Sequence, residues 1–441
     1  MLNAALRTFN LGGVHPASHK DRSAGLAIQP MPLPKVLRVS MSQHLGAPAT
    51  PLVKARQEVV EGELIASVEK GLGANIHCPA TGVVKKIVDI PHPSLGRVQT
   101  VEIQPDPEAP RVEYTLADWR ALTTEEMLAR IREAGIVGMG GAGFPTYIKL
   151  TPPPGTDIDV LLLNGVECES YVTADHRLML ERTNEIVEGA RILLTVLGIK
   201  KAVVGIEVNK PDAIAAFEKI LADQDNEFDI TVCPLAVKYP QGSEKQLIQA
   251  ATGRRVPSGS LPAHAGVLVQ NVGTAFATYE AVALNKNCYE RVLTVTGGGA
   301  FNPANLLCRV GTLISDIVEH LGGLSDRTVK CILGGPMMGY ALADLNYPVC
   351  KNNTGLLFLT EEETDLSGYG ACIRCGRCLD ACPMGLMPNE MSVWAERERF
   401  TGIERFGLWD CFECGSCAYV CPAKRPLVQF IRTAKTKAKR S

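Results

Sequence analysis

Eight cysteines near the C-terminus constrain this chain more than any other feature. They run Cys372-x2-Cys375-x2-Cys378-x3-Cys382-Pro383 and then Cys411-x2-Cys414-x2-Cys417-x3-Cys421-Pro422. Two residues between cysteines let one loop wrap three corners of an iron–sulfur cube. The fourth cysteine, followed by proline, lies too far along to close the same cube and ligates the other one. The spacing therefore predicts two [4Fe–4S] clusters. The first takes Cys372, Cys375, Cys378 and Cys421; the second takes Cys411, Cys414, Cys417 and Cys382. Soft thiolates suit iron, and each proline turns the chain out of its loop. The competing reading is a pair of four-cysteine zinc sites, which normally join two C-x2-C knuckles instead of three cysteines and a C-P. Arg374 and Arg377 add positive charge beside the first cluster.

The remaining cysteines, Cys78, Cys168, Cys233, Cys288, Cys308, Cys331 and Cys350, stand singly. Scattered thiols plus thiolate clusters predict a reducing cytoplasm. The formal net charge of −2 gives no reason to expect nucleic acid. With 46% hydrophobic and 5% aromatic residues, the 441-residue chain reads as multidomain α/β, with roughly three or four cores. No apolar run reaches the roughly 20 residues of a membrane span. The N-terminus lacks the apolar stretch and small-residue cleavage site of a secretory signal.

After an N-terminal extension, 1–33, short β-branched stretches broken by Gly and Pro fill 34–114. Val59-Val-Glu-Gly-Glu-Leu-Ile and His77-Cys-Pro-Ala-Thr-Gly-Val-Val are typical. The phrase resembles a lipoyl-like barrel-sandwich hybrid. Lys70 lies near the position of that family's modified lysine, but the flanking residues of such a lysine are missing, so the module is expected to be unmodified. Residues 115–286 alternate strand and helix, which argues for a parallel sheet flanked by helices. Expected strands are Val160–Leu163, Ala202–Ile206, Ile230–Cys233 and Val267–Gln270. Expected helices are Met179–Leu197, Ala213–Leu221, Ser243–Ala251 and Thr274–Leu284. Residues 287–349 read as a small β-grasp with one helix capped by Thr312, 350–367 as a linker, and 368–430 as a two-cluster ferredoxin-like domain. The basic tail, 431–441, reads as a solvated end or a contact for an anionic membrane or subunit surface.

Gly138-Met-Gly140-Gly141-Ala-Gly143-Phe144-Pro145 contains a formal G-x-G-x-x-G. A dinucleotide fingerprint must follow a strand and open a helix. Here a helix capped by Thr123 or Thr124 precedes it, so that fingerprint is rejected. The glycines still let backbone N–H groups approach a phosphate, and Lys149 follows closely. A tight helix–helix turn is the alternative reading. His15 and His19 read as exposed loop residues, and Cys168 as a small packed thiol.

At this point the chain resembles a known family. Gly138 to Lys149 is similar to the flavin loop of the NADH-oxidising subunit of respiratory complex I. Asn164-Gly-Val-Glu167-Cys-Glu169-Ser-Tyr171, Tyr239-Pro-Gln-Gly-Ser-Glu244, Gly253-Arg-Arg-Val-Pro and Asn271-Val-Gly-Thr274 match its later segments in order. With the N-terminal sandwich, Gly334-Gly-Pro-Met-Met-Gly and the two-cluster end, residues 30 to 430 resemble the RnfC family, a component of the Rnf electron-transport complex. The resemblance implies that Gly138, Gly140, Gly141, Gly143, Lys149, Asn164, Asn271 and Thr274 hold FMN. It implies that Phe144, Glu167, Glu169, Tyr239 and Glu244 line a site for NAD(H). An acid there can bond a ribose hydroxyl, and an aromatic ring can stack on nicotinamide or adenine. Two positions depart from the pattern: Ser170 replaces a frequent proline and Val166 replaces an acid.

The expected function is an NADH/NAD+ oxidoreductase subunit exchanging electron pairs for single electrons. The flavin does the hydride chemistry, so no catalytic side chain is required. The expected partners are other subunits of a membrane electron-transport complex, including a ferredoxin-like cluster subunit. The place is the cytoplasmic face of the bacterial inner membrane, held peripherally. Two alternatives stand beside it: a soluble flavin/iron–sulfur reductase of the cobalamin-reductase type, and a non-catalytic electron-transfer adaptor.

Overall fold

The strand-and-turn pattern after Pro34 folds as two small antiparallel sheets. The computed structural model describes residues 6–222 and 227–438. One sheet orders Leu37–Ser40, Gly96–Pro105, Gly82–His92 and Glu58–Val59; the other orders Thr50–Pro51, Leu64–Ser67 and Ile76–His77. Alternate residues turn inward, so Leu37, Val39, Ile65, Val84 and Ile103 form one core between the sheets. Lys70 is exposed in the turn after Leu64–Ser67.

Four parallel strands follow in the order Asp229–Leu235, Lys201–Glu207, Val160–Asn164, Val267–Asn271. The unbroken apolar runs Val160–Leu163 and Ala202–Ile206 reflect burial on both faces, whereas the edge strand Asp229–Leu235 mixes buried and exposed residues. Leu161, Leu163, Val204 and Leu268 pack on helices Thr124–Glu133, Ala174–Glu181, Thr183–Leu197 and Val272–Ala283. Val160, Leu162, Val203 and Val269 pack on Glu244–Thr252. The expected helix Met179–Leu197 is two helices, because Arg182 leaves the helical conformation (φ −135°, ψ 34°). Helices on the first face, including Pro211–Ala222, carry the chain outward from Val160–Asn164. Glu244–Thr252 then returns it along the other face to the opposite side of that strand. The strand order thus reverses between Val160–Asn164 and Val267–Asn271. In an open parallel sheet the crevice at the carboxyl ends of two such strands is where ligands bind.

The β-grasp unit is larger than its sequence suggests. Its six strands run Ile28–Pro30, Ala304–Arg309, Glu290–Thr296, Gly355–Thr360, Thr328–Leu333, Tyr340–Ala341. Helix Ile314–His320 buries Ile314 and Ile317 on it. Three expectations are corrected. Gly355–Thr360 is a fully buried central strand instead of part of a linker. Part of the N-terminal extension, Ile28–Pro30, pairs in parallel with Asn305–Leu307. Leu313, not Thr312, is the helix N-cap, and the Thr312 hydroxyl is buried without a partner. The Glu61 carboxylate ties the sandwich to this sheet, accepting from Arg309 at 3.0 Å and Tyr289 at 2.8 Å.

The C-terminal domain repeats one plan. Helices Arg377–Asp380 and Pro388–Glu396 correspond to Ser416–Tyr419 and Leu427–Lys437. Arg374 and Glu413 share a left-handed backbone (φ 56° and 62°), as do Gly376 and Gly415 (81° and 82°). The expected solvated tail is instead helical as far as Lys437. Ile431 and Ala434 are buried, while Arg432 and Lys435 pair with Glu413 at 2.8 Å each. Residues 439–441 lie outside the described residues.

Candidate functional site

The glycine loop lies at the carboxyl edge of the parallel sheet. Helix Thr124–Glu133 opens on a reciprocal box between Thr123 and Glu126, a device contributing about 1 kcal/mol. Its exit leads into Gly138–Pro145, closed at the neck by Gly138 N donating to Phe144 O at 2.8 Å. Gly140, Gly141 and Ala142 are exposed. A Cβ at Gly141 would meet nothing within 4 Å, whereas one at Gly140 would lie 2.9 Å from the Asn271 side chain. Gly143 has φ +72°, which only glycine adopts without strain. The Thr274 hydroxyl accepts from Met139 N at 3.0 Å, and Arg291 donates to Met139 O at 3.1 Å.

The other motif segments meet this loop. Asn164 and Asn271 are register partners at the ends of the two switch-point strands. Asn164 donates to Gly242 O at 2.8 Å and accepts from Val166 N at 3.1 Å. Asn271 accepts from Gly273 N at 2.8 Å and donates to Asp175 at 2.6 Å. Lys149 donates to Val269 O at 3.1 Å and pairs with Glu244. Phe144 is half-buried, and the Glu244 side chain is 40% exposed.

The arrangement fits a phosphorylated flavin. An open backbone loop, one ammonium and two amides converge on the switch-point crevice. Four buried polar side chains lacking a protein partner at one or more atoms, Thr146, Asp175, Gln241 and Gln270, belong to these same segments. Groups of this kind are what a polar ligand or ordered water satisfies.

Three residues implied as nucleotide contacts are engaged within the protein. Glu167 (φ +47°) accepts from Asp175 N at 2.7 Å and His176 N at 3.3 Å, and its side chain stands 3.7 Å from the Lys20 ammonium. Burial raises its carboxyl above the usual range, against the pull of Lys20. Glu169 accepts from Met337 N at 3.1 Å and Met338 N at 2.9 Å, gripping the Gly334–Gly339 loop. Burial pushes its carboxyl up to about 7, opposed by those two donors. Tyr239 is buried and its hydroxyl donates to Cys414 O at 2.7 Å. The tips of Glu169 and Tyr239 are thus engaged by backbone 168 and 175 residues away, and that of Glu167 by the first turn of the next helix. His15 and His19 are exposed, as expected, and Cys168 is packed, accepting from Gly242 N at 3.4 Å.

The two cysteine loops lie side by side. Cys372, Cys375, Cys378 and Cys421 line one hollow together with Asn389 and Arg425. Cys378 lies within electrostatic reach of Cys372 and Cys421. Cys414 and Cys417 both feel Cys382, from the other run, and Cys417 also feels Cys378. The two sets are therefore neighbours. Among the described residues no three His, Cys, Asp or Glu side chains draw together round a single ion, whereas a cube needs four thiolates spread about it. Burial pushes the Cys411 thiol up to about 11, so iron binding must displace a proton there. The second set touches the Tyr239–Glu244 and Gly334–Gly339 segments. Tyr239 holds Cys414, and Met337 abuts Gly415, where a Cβ would lie 2.7 Å from its carbonyl. In the first set Cys375 is exposed and Cys378 buried.

Residues 8–108 match the family described as the RnfC barrel sandwich hybrid domain, 131–280 the Nuo51 FMN-binding domain, and 365–422 the 4Fe-4S dicluster domain. The chain is 45% identical over 434 residues to the C subunit of the proton-translocating ferredoxin:NAD(+) oxidoreductase complex of Clostridium ljungdahlii, covering 98% of this chain and 94% of that one. It is 41% identical to the C subunit of an ion-translocating oxidoreductase complex of Rhodobacter capsulatus, covering 98% and 84%. It is 39% identical to the C subunit of the Na(+)-translocating ferredoxin:NAD(+) oxidoreductase complex of Acetobacterium woodii, covering 98% of each. An NAD+-reducing [NiFe]-hydrogenase in the H2-reduced state shares the fold alone, with a TM-score of 0.51 and 17% identity over 74% of this chain and 64% of that one. Sandwich, flavin domain and two-cluster end thus occur in one chain whose relatives match along nearly its full length, and the chain belongs to the RnfC family of ion-translocating oxidoreductase complexes.

Proposed function

We propose that this chain exchanges electrons between NAD(H), an FMN at the switch-point crevice and its two clusters, and passes them to or from partner subunits. The observation that carries this reading is the contact between the flavin crevice and the second cluster's loop, through Tyr239 and Cys414. FMN supplies the conversion between hydride transfer and one-electron steps, and the clusters carry single electrons. Backbone N–H groups of Gly140, Gly141 and Gly143 and the Lys149 ammonium receive the flavin phosphate. Asn164, Asn271 and Thr274 orient the ring side of the loop. Phe144 and Glu244 remain at the open mouth for the nucleotide, and a carboxylate there disfavours the extra phosphate of NADPH. Glu167 and Glu169 contribute by fixing the segment between Asn164 and Thr173. The second cluster faces the flavin, and the first, beside exposed Cys375, faces a partner of ferredoxin-like cluster type.

Among the described residues no helix is long and apolar enough to cross a membrane. Attachment through partner subunits at the cytoplasmic face of the inner membrane accords with relatives named as subunits of ion-translocating complexes. Anaerobically purified protein should contain FMN and iron, and NADH should bleach the flavin band and then the broader cluster absorption. Full FMN and iron with no response to NADH would overturn the reading in favour of an inert adaptor.

A further inference from the structure

Residues 6–30 cross three domains. Arg7 donates to Ala251 O at 3.0 Å, and Phe9 is buried under the Lys238 ammonium. Val14 exchanges both backbone hydrogen bonds with Tyr239, each 2.8 Å, and Gly13 N donates to Ala381 O at 3.0 Å. Gly12 has φ +61°, and a Cβ on it would stand 2.5 Å from Cys382 O. A few residues on, the segment grips the flavin domain. Ser170 donates to Ala17 O at 2.7 Å and Tyr171 N to Ser18 O at 2.8 Å. Lys20 donates to Glu167 O at 2.9 Å and to Val172 O, with the Glu167 carboxylate beside it. The segment ends as strand Ile28–Pro30 in the β-grasp sheet.

We propose that this strap sets the register of the second-cluster loop against the segment Asn164–Thr173, with Gly12 and Lys20 as its positioning residues. Cys382 is the one ligand of the second cluster supplied by the far run. Its carbonyl lies against Gly12 so closely that no side chain fits between them. At the other end the enclosed Lys20 ammonium has the Glu167 carboxylate as its ion-pair partner, and it donates to the carbonyls of left-handed Glu167 and of Val172, tying both ends of that segment to the strap. A buried charge pair of this kind is costly to break on one side, so the strap cannot slide without loss. Because one-electron transfer weakens steeply with separation, a small shift of the loop slows transfer while both cofactors stay bound.

The inference rests on the relay proposed above, and the test separates the two. Holoprotein carrying Gly12→Ala is compared with wild type and with Gly25→Ala, where a Cβ meets nothing within 4 Å. Gly12→Ala should keep FMN, iron and the rate of flavin reduction by NADH. Hydrogen exchange should quicken in 12–14 and 378–386. Electron passage from flavin to clusters should slow on the order of tenfold to a hundredfold, as for other small misplacements. Gly25→Ala should match wild type in all of these. Lys20→Met should quicken exchange in 165–173 and, with FMN and iron retained, slow electron passage from flavin to clusters. A wild type that ignores NADH refutes the relay. A responsive wild type with Gly12→Ala unchanged in exchange and transfer, or with both glycine variants equally impaired, refutes the strap. Should Gly12→Ala not fold, normal exchange in 165–173 of Lys20→Met refutes it instead.

Discussion

Chain carrying Lys149→Glu should purify without FMN while keeping its iron. Lys149 ends a short helix directly after the glycine loop and is aimed by Val269 O and Glu244. A charge-assisted hydrogen bond contributes about 1.5–3 kcal/mol, which alone is roughly a tenfold to hundredfold change in affinity. Reversing the charge adds repulsion against a phosphate, and the introduced carboxylate would also face Glu244 across the crevice. The combined loss should approach a thousandfold, whereas Lys149→Met should show only the smaller change. FMN released by denaturation and measured per chain, beside iron, reads both. If Lys149→Glu retained its full flavin, the phosphate would have to sit elsewhere.

Removing Cys421 should cost the first cluster and spare the second. The hollow lined by Cys372, Cys375, Cys378 and Cys421 joins the two runs, and Cys414 and Cys417 lie within electrostatic reach of Cys382. Cys421→Ser should therefore lower iron from about eight to about four per chain. The cluster it retains should give the same paramagnetic spectrum as that of Cys375→Ser. Cys382→Ser should instead match Cys417→Ser. The opposite pairing, with Cys421→Ser matching Cys417→Ser, would mean that each run closes its own cube.

Much of this was legible in the sequence because the signals were local. The cysteine spacing and the apolar runs Val160–Leu163 and Val267–Gln270 each state their environment within a few residues. The helix ahead of the glycine loop was legible from its residues and a threonine cap at 123 or 124, and the structure places that cap at Thr123. What escaped was long-range. Gly355–Thr360 passed for linker because an acidic stretch follows it, and only pairing with Glu290–Thr296 and Thr328–Leu333 reveals it as central. Lys20 acts 147 residues away on Glu167, and Arg291 acts 152 residues away on Met139. Asp175 reaches Asn271 across 96 residues. Glu167, Glu169 and Tyr239 have the residue types of a nucleotide site. Their partners, however, are backbone groups of other segments, which pattern reading does not supply.

The relay order is the claim on which the rest stands, and a chain lacking only the second cluster tests it most directly. Holoprotein with Cys417→Ser, mixed anaerobically with NADH, should bleach its flavin at the wild-type rate and leave the first cluster oxidised. Dithionite should then reduce that cluster. Reduction of the first cluster by NADH as fast as in wild type would contradict the account, because electrons would then reach the outer cluster without crossing the inner one.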